Sequence, residues 1–119
     1  MTKEELKART KKFALNIIML SEQLPRNRAA DVLIKQLLQS STSVGANYRA
    51  ACRSRSTADF ISKITIVEEE ADESMYWLEL ISESHFVSKE KIEPLWKEAN
   101  ELTAIFTASG RTAKGKGKQ

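Results

Sequence analysis

Breakers, aromatics and metal-binding side chains are all scarce in this chain. Four glycines and two prolines in 119 residues are too few for the many turns of a β-rich fold. One cysteine, Cys52, excludes an intrachain disulfide framework and fits a reducing cytoplasm. One histidine, His85, beside that single cysteine excludes the usual Cys/His zinc sites within one chain. No apolar run approaches the ~18 residues needed to span a bilayer. The charged start, MTKEELKARTKKF, has no apolar core of a secretory signal. These readings lead to the expectation of a single cytoplasmic domain with no membrane segment and no cofactor.

What is present is helical periodicity in four segments. The first covers about residues 3–23, with Leu6, Thr10, Phe13, Ile17, Leu20 and Leu24 at spacings of three and four. Thr2 and Glu5 make a capping box, and Pro25 stops the segment. The second covers about 28–54 behind Asn27 as N-cap. Its stripe is Ala30, Leu33, Leu37, Ser41, Val44, Tyr48 and Ala51. Gly45 lies mid-stripe, where glycine costs roughly 0.5–1 kcal/mol relative to alanine. Close approach of another helix backbone explains it. The third covers about 57–84, with Ser56 and Asp59 as cap and Phe60, Ile64, Val67, Ala71, Met75, Leu78 and Ile81 as stripe. The fourth covers about 90–109 with Ile92, Leu95, Ala99, Leu102 and Phe106. Ser88 is its candidate cap, and Pro94 favours a regular start nearer 93. Gly110 is expected to end it. Short connections make consecutive helices antiparallel neighbours, so the fold expected is an all-α, up-down-up-down four-helix bundle over residues 1–110. Residues 111–119 read as a flexible basic tail.

Charge is segregated along the chain. Residues 25–55 carry six basic groups against Asp31 alone, and residues 57–84 carry eight acidic groups against Lys63 alone. Arg49 and Arg53 lie one turn apart, with Arg55 close behind. Folding the second and third helices back about residue 55 sets Arg49 opposite Ser62 and Lys63. It therefore lacks an acidic partner on the adjacent helix. With Arg111, Lys114, Lys116 and Lys118 of the tail, these arginines are the candidate contacts for RNA or DNA phosphate. A solvated helix end is the plain alternative. The third helix also has a second apolar edge, Ile66, Trp77 and Leu80. A helix with two apolar faces calls for a second partner, here another copy of the chain.

The run Glu68 to Glu73 raises the question of a metal. Glu69, Glu70 and Glu73 resemble half of the motif of all-α nucleotide pyrophosphohydrolases. The second acidic motif is missing, because Lys97 stands three residues before Asn100. A di-iron Glu-x-x-His is missing too, because Ser82 precedes His85 at that spacing. The same hairpin register brings Asn100 and Glu101 level with Asp72 and Glu73. Hydrogen bonds to Ser, Thr and Asn side chains are then the structural role expected for some of these carboxylates. No catalytic residues, metal or small-molecule substrate are assigned.

One stretch carries a family pattern. It reads Gln36-Leu37-Leu38-x-Ser40-x-Thr42-Ser43-Val44-Gly45-Ala46-Asn47-Tyr48-Arg49-x-Ala51. With Asp59-Phe60, Lys63, Glu68 to Glu73, Tyr76 to Leu80 and Glu98 to Leu102, it resembles the bacterial four-helix-bundle proteins encoded in 23S rRNA intervening sequences. These are similar to the accessory protein of diversity-generating retroelements. The resemblance reaches to about residue 110 and implies a cytosolic homo-pentamer, with nucleic acid as a possible partner. A protein-binding adaptor is the alternative, and a metal-dependent pyrophosphohydrolase a more distant one.

Overall fold

The computed structural model describes residues 1–117, with side chains to Lys116. Four helices follow one another: α1 (Lys3–Ser21), α2 (Arg28–Ala51), α3 (Thr57–Glu83) and α4 (Lys89–Gly117). Each packs on the next, and α1 also touches α4, closing an elongated bundle of 51 × 24 × 19 Å.

The helix starts follow local chemistry. Thr2 accepts from the Glu5 N–H at 3.0 Å while the Glu5 carboxylate accepts from the Thr2 N–H at 3.3 Å. Asn27 accepts from the Ala30 N–H at 2.9 Å, and Ser56 from the Asp59 N–H at 3.0 Å. Each satisfies an N–H that the first helical turn leaves unpaired.

The core is the predicted seam with a few exchanges. Phe13, Ile17, Leu37, Val44, Ile64, Val67, Leu78, Ile81, Leu102 and Phe106 are all essentially inaccessible. Leu24, Leu33, Phe60, Met75 and Leu95 are only half-buried at its margins. Ser74 is fully buried, and its hydroxyl meets that of Ser40 across α2 and α3 at 2.9 Å. At Gly45 the close approach is real. An added Cβ would stand 3.3 Å from Thr10 Oγ1 and 3.6 Å from the Thr10 backbone carbon. The α1–α4 seam is held by Arg9, which forks onto Glu98 at 2.7 Å through both Nε and Nη2. Its Nη2 also reaches Glu101 at 2.5 Å.

Two boundaries differ from expectation. The fourth helix begins at Lys89, and Pro94 lies inside it, in the second turn. Nor does it stop at Gly110. It continues to Gly117, because Phe106, Gly110 and Ala113 keep the helical spacing of the seam and all three are buried. Residues 111–117 are therefore an extension of α4 rather than a tail leaving a finished helix. Lys118 and Gln119 lie outside the described residues.

Candidate nucleic-acid interface

The basic groove is built where α2 runs out and α3 begins. Arg49 occupies the last turn of α2, where a cation complements the negative helix end. Cys52 closes the helix, with its N–H on the Tyr48 carbonyl at 3.0 Å. One turn beyond Arg49 comes Arg53. The N–H groups of Arg53 and Ser54 bond back to Ala50 and Ala51 at 3.1 Å, which holds the turn tight. Arg55 then precedes the Ser56 cap, its N–H 3.4 Å from an Asp59 carboxylate oxygen.

Arg49, Arg53 and Arg55 line one open groove with Lys63, Asp59, Ala46 and Ala50. Asp59 is engaged by Lys63 Nζ at 2.7 Å. That hydrogen bond, helped by the Arg55 N–H, holds the Asp59 carboxyl below the usual carboxylate range despite some desolvation. All three arginines are exposed, and among the described residues none of them forms an ion pair. Arg55 also borders a second groove with Lys3, Lys116, Cys52, Phe60 and Ser109. Basic side chains of α2, α3, the start of α1 and the end of α4 thus gather at one end of the bundle, where the first turn of α1 also sets Glu4 beside Arg49.

Of the residues singled out in the sequence, Arg49, Arg53, Arg55 and Lys116 come together here. Arg111 and Lys114 are exposed on α4 but line neither groove. Lys118 is outside the described residues. Lys63 joins the groove at the register that set it opposite Arg49, a signal already present in the sequence. Lys3 had no local signal, since only the fold returns the start of α1 to this end.

Tyr48, next to Arg49, faces the other way. It is 6% exposed and its ring lies 5.3 Å from that of Phe106. Burial, with Cys52 close by, pushes its phenol well above the ordinary tyrosine range, so it stays neutral and serves as packing.

The acidic run is structural where it has partners. Glu68 accepts from the Thr107 hydroxyl, and Glu73 from Trp77 Nε1 at 3.2 Å. Glu69, Asp72 and Glu73 are otherwise exposed. Asn100 is exposed, and it is Thr107, Trp96 and Arg9 that engage the carboxylates around α4. Among the described residues no three Asp, Glu, His or Cys side chains converge to hold a metal ion.

The second apolar edge of α3 is partly covered. Ile66 is 40% exposed, whereas Trp77 and Leu80 are half-buried and Trp77 packs on the core. Tyr76, 54% exposed, stands edge-on to Trp77 with ring centroids 5.1 Å apart. A second exposed strip runs along α1: Leu15, Ile18 and Met19, at 50%, 43% and 66%. Its spacing of three and one was readable in the sequence but lay off the main stripe.

The fold is that of a small all-α bundle of four antiparallel helices, with a basic end and, among the described residues, no helix long and apolar enough to cross a membrane. Residues 3–108 match the model of the 23S rRNA-intervening sequence protein family, and the chain belongs to that family. It is also similar to a crystal structure of a protein with unknown function from the S23 ribosomal protein family of Bacteroides thetaiotaomicron VPI-5482. The two share 33% identity and superpose with a TM-score of 0.85 over 93% of this chain and 99% of that one. Comparison with curated proteins gives no match.

Proposed function

We propose that the chain is a non-enzymatic, cytoplasmic, homo-oligomeric binding module whose basic end contacts the phosphates of RNA or DNA. The observation that carries this reading is the groove of Arg49, Arg53, Arg55 and Lys63. There three exposed guanidinium groups have no carboxylate partner among the described residues. Guanidinium forks match phosphate oxygens in pairs, and one carboxylate, Asp59, already engaged by Lys63, does not neutralise the surface. The acidic face of α3 would orient a polyanion toward this end and away from the rest of the molecule. Among the described residues no aromatic side chain lines this groove, and the sequence carries no base-reading motif, so the binding expected is insensitive to sequence.

Titration of a labelled mixed-sequence single-stranded RNA across a range of salt tests it. Binding should weaken steeply with salt, with a log–log slope of about −2 if three phosphates are engaged. The triple variant Arg49→Glu, Arg53→Glu, Arg55→Glu should lose it. No binding at low salt overturns the reading. Salt-insensitive binding to a protein with none to RNA would mark the chain as an adaptor instead.

A further inference from the structure

The end of the bundle opposite the basic groove has a cleft of about 590 Å³, bounded by the last turns of α3, residues 84–88 and the first turns of α4. Its shape comes from how α3 ends. His85 takes a left-handed backbone with φ 59°, tolerated by His better than by branched residues. Its N–H donates to the Ser82 carbonyl at 3.0 Å, and the Phe86 N–H to the Ile81 carbonyl at 3.4 Å. This pair of bonds is the Schellman ending. The chain then turns inward at Val87, which is 8% exposed.

Val87, Ile92 and the half-buried Trp96 give the cleft an apolar floor. Glu79, Glu83 and Glu93 rise around it. Trp96 Nε1 donates to the Glu79 carboxylate at 2.9 Å, which fixes ring and acid together. Lys89 also lines the cleft, and Glu93 on its rim is paired with Lys97 Nζ at 3.5 Å. A side chain suited to this site is apolar along its stem and cationic at its tip, as lysine and arginine are. The indole face and the acidic rim both favour such a tip.

We infer that this cleft docks the basic end of α4, Arg111 to Lys116, from a second copy of the chain. The sequence from 111 to 119 contains four basic residues and no acid. Arg111, Lys114 and Lys116 are all exposed, and among the described residues none forms an ion pair. The same helix that begins at the cleft, at Lys89, ends in this run at Gly117, 28 residues later. At 1.5 Å per residue Arg111 to Lys116 lie about 33–40 Å from Lys89, so a chain cannot fill its own cleft. Docking is then heterologous, end to end, and distinct from any side-by-side contact through α3.

The test is a fluorescein-labelled peptide with the sequence of residues 110–119, titrated into the full-length chain and read by anisotropy. Saturable binding is expected. It should weaken about tenfold or more in Glu83→Lys with Glu93→Lys, and it should weaken as salt rises. Both acids are exposed, and circular dichroism checks that the variant remains folded. Arg49→Glu should leave peptide binding unchanged. Absence of binding, equal binding by the double variant, or equal binding of a peptide with its basic residues changed to Glu overturns the cleft. Peptide binding without low-salt self-association of the full chain would overturn the second copy as occupant. RNA titration of the same double variant keeps the two readings separate, since its RNA affinity should not fall.

Discussion

Glu70 is half-buried on α3 between two like charges. Burial first, then the neighbouring Glu73 and Glu69, raise its carboxyl above the usual carboxylate range. Such a group favours the folded chain when neutral. That favourable contribution is complete below the ordinary carboxylate pKa and is lost as pH rises through the raised one. Glu70→Gln should therefore be more stable than the natural chain at pH 7, with the difference shrinking toward nil near pH 4. Urea midpoints at the two pH values check this, and an equal difference at both would refute it. Single residues were legible in sequence when their signature was local. Gly45 announced a close helix contact, and α1 supplies it through Thr10. Ser74 gave no such sign, because a serine on a stripe reads as a gap until Ser40 is seen opposite it. Arg9 was equally silent. Its partners Glu98 and Glu101 lie 89 and 92 positions away, and no short-range pattern links them.

The end of α4 shows how packing overrides a terminator. Glycine at the end of a periodic run is a sound stop signal, yet the seam needs Gly110 and Ala113 in place. An added Cβ at Gly110 would make only ordinary contact, 3.5 Å from Ile64 Cγ2. Gly110→Ala should thus gain about 0.5–1 kcal/mol from reduced freedom of the unfolded chain and better helix propensity. Thermal unfolding reads this as a rise of about 2–6 °C. A fall would mean that this helical position is strained. The starts of α1, α2 and α3 were the most legible features, since a cap is decided by one side chain and an N–H two or three residues on. Pro94 misdirected the start of α4 because a proline fits the first turn best without being confined to it.

For the whole molecule, the order of four helices and their antiparallel packing could be read from periodicity and short connections. Which surfaces remain apolar after folding could not. The α3 edge presents Ile66 and Tyr76 more openly than Trp77 or Leu80, and α1 adds its own strip. If copies associate side by side through α3, the cleanest probe is Ile66→Glu with Tyr76→Glu. Trp77→Asp would also disturb the core on which Trp77 packs. Light scattering should give a mass near five subunits for the natural chain, as the resemblance implies, and a smaller one for the double variant. An unchanged mass would clear this edge of any role. The lengthwise separation of charge has a kinetic meaning as well. Cations gather around Arg55, and carboxylates ring the far turn. If the basic end binds a polyanion as proposed, a tumbling molecule would feel a torque before it feels a contact and would arrive end-on. Added salt should then slow its capture more than it hastens its escape.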